Sequence, residues 1–427
     1  MEKFQAFLDR TLGPLMSKLG SNRYLIAVRD GVVSALPLVI VGSFFMLVAS
    51  PPLPQDWEVY KFLTANSATI MLPYRVTMHI MTLYAVFGMG NSLAKSFDLD
   101  GVSGGVLSVA AFMLTIVPVN ILPDAGVGVS GFVLPTANLG SAGLFVGMIV
   151  TFFAINVFRF TNSSKFKIVM PEQVPPSVAR SFEALTPTLI VVLVIGGLTY
   201  WAGFNWSAVI STLISPFIFA SDSLIGVLVI VFFNRFLWFF GIHGASVVGA
   251  VARPLWLALI EQNALAAAAG VSGTELPTIA PEPFYQWFVW VGNFALPILL
   301  VFVCKSKYLR DLGKLGFVPS MFNINEPITF GMPLVLNMTL AIPYILMPMI
   351  LACVSWSAMS FGWVNRVIIT APWTLPGPIG AVLATGGDWR AAVLSIVLLL
   401  LACLIYLPFV KVYDKQFCKQ EEEAAAE

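Results

Sequence analysis

Long apolar stretches near 31–50, 76–94, 104–121, 139–158, 186–203, 224–248, 285–304, 331–353, 355–372 and 391–410 dominate this chain of 427 residues. Roughly 20 such residues are needed to cross the hydrocarbon core of a bilayer as a helix. Lipid offers no partner to an open backbone N–H or C=O, so each stretch must be helical. The chain therefore reads as an all-α polytopic membrane protein with about ten transmembrane helices. Charge supports this, since 11% of residues are charged against roughly a quarter in soluble domains. The 34 Phe and 11 Trp exceed what one water-soluble core of this length could hide. A net charge of +1 provides no surface for neutralising a phosphate backbone. These counts exclude a secreted enzyme, a soluble cofactor enzyme and a nucleic-acid binder. Membrane lipid is an expected partner, nucleic acid is not, and no cofactor is expected.

Basic residues orient the stack. Residues 1–30, Lys95, the 159–180 loop, Lys305–Lys314 and the C-terminal Lys411, Lys415 and Lys419 together hold 17 of the 23 Lys and Arg, whereas 122–138 and 204–222 hold none. By the positive-inside rule the basic segments and both termini are cytoplasmic. No continuous apolar h-region occupies the first thirty residues, so the first span is expected to remain in the mature protein. Phe4, Phe7, Leu8, Leu12 and Leu15 recur at helical spacing in a stretch too polar to cross, which predicts a helix lying on the interface. The loop 159–184 divides the chain into membrane halves 1–183 and 184–420, followed by an acidic tail, 421–427, expected to fray.

Cys304, Cys353, Cys403 and Cys418 lack metal or redox spacing, and His79 and His243 are too few for a histidine cage, so no metal site is expected. Three segments combine polar groups with helix breakers. In Met321-Phe-Asn-Ile-Asn-Glu-Pro-Ile-Thr-Phe-Gly-Met-Pro, Glu326 and Asn325 sit in an apolar frame. Irregular backbone of that kind lines a cavity or is buried in protein when it lies at membrane depth; a water-exposed cytoplasmic loop is the competing reading. In Trp238-Phe-Phe-Gly-Ile-His-Gly, flanking glycines let the chain break at His243, whose neutral imidazole can both donate and accept. A satisfied core histidine is equally open there, and is favoured for His79. In Ala371-Pro-Trp-Thr-Leu-Pro-Gly-Pro-Ile-Gly, Trp373 is either a stacking face for a sugar or an interfacial anchor.

Taken together, Asn325-Glu-Pro-Ile, Trp238-Phe-Phe-Gly-Ile-His-Gly and Ala371-Pro-Trp-Thr resemble the membrane-embedded IIC component of the bacterial sugar phosphotransferase system, lactose/cellobiose/diacetylchitobiose branch. Pro171-Glu-Gln-Val-Pro-Pro-Ser-Val-Ala-Arg-Ser-Phe-Glu-Ala-Leu-Thr-Pro, Leu107-Ser-Val-Ala-Ala-Phe-Met and Ile405-Tyr-Leu-Pro-Phe-Val extend the resemblance, in order, over almost the whole chain. It implies a homodimer in the bacterial plasma (inner) membrane, with re-entrant hairpins near the site. The N-terminal half would supply the dimer contact and the C-terminal half would carry a disaccharide of cellobiose or diacetylchitobiose type. Residue-wise transfer places Glu326 and His243 near the sugar 6-hydroxyl as catalytic candidates, packs Trp373 on the sugar, and has Trp238 and Asn325 support the pocket. Phosphorylation would come from a phosphocysteine on a separate IIB protein docked on the cytoplasmic face, because this chain is expected to carry no phosphocysteine of its own. Two positions depart from the branch pattern. Val291-Gly-Asn-Phe-Ala-Leu-Pro replaces the usual Gly-Gly-Ser/Thr-Gly run, putting Asn293 in the substrate-binding set, and Met338 stands after Asn337 where relatives have Pro. An ion-coupled secondary sugar transporter is the alternative, with Glu326 cycling protons.

Overall fold

The computed structural model describes residues 21–49, 56–122, 130–163, 182–241, 243–332 and 337–426, with isolated positions between them. The expected interfacial helix and most of the 164–181 loop, with its Pro171 motif, lie outside the described residues. Among the described residues six helices are long and apolar enough to cross a membrane: Arg23–Met46, Ser141–Asn162, Gly244–Ala268, Glu282–Phe302, Thr339–Ser360 and Trp389–Glu423. A seventh candidate is a pair, Leu185–Trp201 and Trp206–Asp222, bent by 91°. Gly101–Met113 and Leu224–Phe239 are shorter apolar helices. The all-α polytopic architecture follows, and the chain gathers into two compact units.

One unit comprises Leu19–Gly42 and Leu72–Phe217. Helices α1 (Met81–Lys95) and α2 (Gly101–Met113) cross closely, because a Cβ at Gly90 would meet the Gly104 carbonyl at 2.6 Å. Small residues at such crossings let backbones approach where apolar lipid gives no hydrophobic drive for association. Asp100 caps α2, accepting from the Ser103 N–H at 2.8 Å. The expected span 104–121 is cut short, since α2 ends at Met113 and Val119–Ile121 pairs antiparallel with Gly131–Val133. Val86, Phe112, Val146 and Phe158 form the core with Val191, Ile195 and Ile210, which lie beyond the sequence-level boundary at 183. The stretch 204–222, which holds no basic residue, is largely the helix Trp206–Asp222.

The other unit includes Ser43–Met71 and Ile218–Glu427. Two expected spans change here. The stretch 224–248 is interrupted: α3 (Leu224–Phe239) ends, Gly241 adopts φ +76°, and α4 (Gly244–Ala268) begins. The stretch 355–372 forms no helix of its own; α5 (Met338–Ser360) ends, and residues 361–376 run without regular structure to α6 (Gly377–Ala384). Each Pro and Gly there removes a helical donor or loosens the backbone. The open backbone is satisfied from elsewhere. Asp388 accepts from the Asn365 N–H at 2.8 Å, Asn263 donates to the Val367 carbonyl at 2.9 Å, and the Ile368 N–H reaches the Ala384 carbonyl at 2.8 Å.

The C-terminal helix α7 runs from Trp389 to Ala426. Glu421, first residue of the tail expected to fray, accepts from the Ser306 hydroxyl at 2.7 Å and from the Lys307 and Tyr308 N–H groups at 3.1 and 2.9 Å. Those groups open α8 (Lys307–Met321), so a carboxylate meets the unpaired donors of a helix N-terminus. Asp414 similarly receives the Lys305 and Ser306 N–H groups.

Candidate functional site

The three motif segments meet within one unit. Trp238, near the end of α3, lies 4.5 Å from the His243 ring and 6.3 Å from the Phe330 ring, centroid to centroid. Phe330 belongs to the short helix α9 (Glu326–Gly331), so the Trp238 indole ties the 238–244 break to the acidic motif. On the other side, the Asn323 side-chain amide donates to the Trp373 carbonyl at 2.7 Å and the Leu375 carbonyl at 2.9 Å. Asn323 adopts φ +65°, a left-handed conformation that Asn tolerates better than most residues. One residue thus turns the acidic segment and clamps it to the Trp373 segment.

His243 caps α4. Its Nδ1 accepts from the Ser246 N–H at 3.1 Å and lies 2.9 Å from the Ser246 hydroxyl oxygen. With Nδ1 accepting, a neutral ring carries its proton on Nε2 and offers that N–H as a donor. The following glycine is obligatory, since a Cβ at Gly244 would sit 2.0 Å from the Asn234 carbonyl oxygen. The exposed His243 is therefore not a packed core histidine. His79 occupies a 3-10 turn, its ring 6.3 Å from that of Tyr74.

Glu326 opens α9 and is exposed, with the apolar Phe322, Ile324 and Phe330 exposed around it. Asn325 donates to the Asn323 carbonyl at 3.2 Å, while its own Oδ1 is buried without a hydrogen-bond partner. Trp373 is 53% exposed. Asn293, in the 3-10 turn Trp290–Phe294, is engaged elsewhere: its Oδ1 accepts from Arg235 Nη2 at 2.6 Å. Arg235 is not singled out from the sequence, and Asn323 reads there only as one of the polar groups around Glu326. An arginine inside an apolar stretch is itself a signal, but Asn323 acquires meaning only through partners 50 residues away. Cys304 is buried, and burial together with the nearby Asp414 carboxylate pushes its thiol up to about 12, so little nucleophilic thiolate forms.

Fold and site define a polytopic membrane protein whose aromatic, amide and carboxylate groups converge on interrupted helices. The family model "Phosphotransferase system, EIIC" matches residues 29–348. The cellobiose-specific EIIC component of Geobacillus stearothermophilus is 36% identical, the match covering 99% of this chain and 97% of the relative. The lichenan permease IIC component of Bacillus subtilis is 34% identical, covering 99% and 96%. The crystal structure of the transporter ChbC, the IIC component from the N,N'-diacetylchitobiose-specific phosphotransferase system, superposes with a TM-score of 0.88 at 36% identity, covering 97% of this chain and 99% of that one. The chain belongs to the EIIC family of the phosphotransferase system, and is an integral membrane sugar permease.

Proposed function

We propose that this permease carries a β-linked disaccharide of cellobiose or diacetylchitobiose type inward and presents its 6-hydroxyl to the phosphocysteine of a separate IIB protein. The observation that carries this reading is the meeting of the Glu326, His243 and Trp373 segments through Trp238, Phe330 and Asn323. Trp373 stacks on an apolar sugar face, His243 Nε2–H donates to a sugar oxygen, and the orphaned Asn325 Oδ1 accepts a hydrogen bond from a sugar hydroxyl. Such an acceptor costs about 1–3 kcal/mol when buried unpaired, so a sugar hydroxyl there stabilises the loaded state. As the phosphorus–sulfur bond of IIB breaks and the bond to the sugar O6 forms, Glu326 accepts the hydroxyl proton. Asn293 acts at one remove, through Arg235. The protein works as a homodimer in the bacterial plasma membrane with both termini cytoplasmic; residues 1–183 supply the dimer contact and residues 184–420 carry the sugar.

The test reconstitutes wild type and Glu326→Gln in vesicles with phosphoenolpyruvate, the general phosphotransferase proteins, IIA and IIB. Glu326→Gln keeps the shape and removes the base, so phosphorylated sugar falls by about 10²–10⁴-fold while folding is retained. Wild-type uptake that is concentrative, driven by a proton gradient and indifferent to IIB would instead establish the ion-coupled transporter.

A further inference from the structure

Arg235 is 6% exposed, and among the described residues no carboxylate pairs with it. Its guanidinium lies over two rings, 4.5 Å from the Trp290 centroid and 5.0 Å from that of Tyr344. Nη2 donates to Asn293 at 2.6 Å and Nη1 to the Tyr344 hydroxyl at 3.3 Å, while Nε is buried without a partner. Every partner is neutral. They hold the fork in place but leave its charge uncompensated, and a buried cation without a counter-charge is costly. Arg235 precedes Trp238 by three residues on α3, which puts the two on one helix face. The charge therefore sits on the helix face that also carries Trp238, whose indole lies 4.5 Å from the His243 ring.

We propose that Arg235 is an anion site, and that its ligand is the phosphoryl group of a sugar 6-phosphate. A planar guanidinium with free N–H donors matches phosphate oxygens in geometry as well as charge. The inference rests on the phosphotransferase reading above, in which the cargo becomes anionic inside the pocket. A phosphoryl group carried on the sugar arrives there with its ligand, so entry from bulk solvent is not needed. Asn293, which stands where the resemblance expects a small residue, orients the fork through its Oδ1.

The experiment measures binding of cellobiose, cellobiose 6-phosphate and inorganic phosphate to the full chain in lipid nanodiscs, for wild type, Arg235→Lys and Arg235→Gln. Wild type binds the 6-phosphate more tightly at pH 7.5 than at pH 5.5, because the second phosphate proton leaves near pH 6. Arg235→Gln weakens the 6-phosphate by about 10- to 150-fold, the range for losing a charge-assisted contact, and weakens cellobiose by a clearly smaller factor. Arg235→Lys, which keeps the charge, falls between. Equal losses for cellobiose and its phosphate would make Arg235 a packing residue and overturn the proposal. A loss confined to inorganic phosphate would overturn the assignment to product. Should Arg235→Gln not fold, wild type decides: a 6-phosphate bound more weakly than cellobiose at both pH values overturns the site. If wild type binds neither sugar ligand, the transport reading has failed. Inorganic phosphate bound by wild type and weakened in Arg235→Lys then still supports the anion site, and its absence overturns it.

Discussion

His243 uses its two nitrogens for different purposes. Nδ1 is committed to the first turn of α4 through the Ser246 N–H, which leaves Nε2–H as the only group free to meet a ligand. His243→Asn retains a good helix cap but loses that donor. It should leave thermal stability close to wild type, lower sugar affinity by about 5-fold, the equivalent of one neutral hydrogen bond, and lower phosphorylation further still. Wild-type turnover in the vesicle assay would reduce His243 to a capping residue. Trp373 is half exposed, with its carbonyl held by Asn323, so its ring is presented while its backbone is fixed. Stacking on aromatic side chains is worth about 1–3 kcal/mol by analogy with nucleobases. Trp373→Ala should then weaken sugar binding roughly 5- to 150-fold by calorimetry, and unchanged affinity would assign the indole to the membrane interface.

Interrupted helices are the elements that make the candidate site. The break at 240–243 needs Gly241 for its positive φ and Gly244 for its approach to the Asn234 carbonyl. The segment 361–376 forgoes helical hydrogen bonds and is repaid by Asn263, Asp388 and Asn323. Asn323→Gly isolates that contribution, because glycine keeps the left-handed turn without strain and removes both amide bonds. At about 1 kcal/mol each, their loss should lower the unfolding temperature in detergent and weaken sugar binding together. A fall in stability alone, with sugar affinity intact, would show that the clamp holds the fold and not the site.

For the whole molecule, the chain gathers into two compact units, and all six proposed site residues fall in the one that includes Ser43–Met71 and Ile218–Glu427. A chain whose ligand lies wholly within one unit leaves the other free for subunit contact. The proposed homodimer predicts that light scattering, corrected for detergent, returns the protein mass of two 46.3 kDa chains. It also predicts that substitutions on the exposed faces of α1 and α2, and not in the 218–427 region, shift the protein toward single chains. A monomer with full phosphorylation activity would rule out a functional need for the dimer.

Class, membrane setting and the candidate segments around Glu326, His243 and Trp373 were legible from residues alone, because each depends on near neighbours. Twenty-residue apolarity demands a helix in lipid, and Glu326, His243 and Trp373 each stand beside Pro or Gly that interrupts one. Apolarity did not say where a stretch breaks. It joined 224–239 to 240–248, although the glycines beside His243 allowed a break there, and made a span of 355–372, because a Pro or Gly does not by itself tell whether tertiary partners will receive the freed backbone groups. Those partners lie far along the chain: Asn263 for Val367, Asp388 for Asn365, Asn323 for Trp373 and Leu375. The pairing of Arg235 with Asn293, 58 residues apart, is of the same kind. Local sequence determined what each segment is, and long-range packing alone decided which breaks survive and which side chains they bring together.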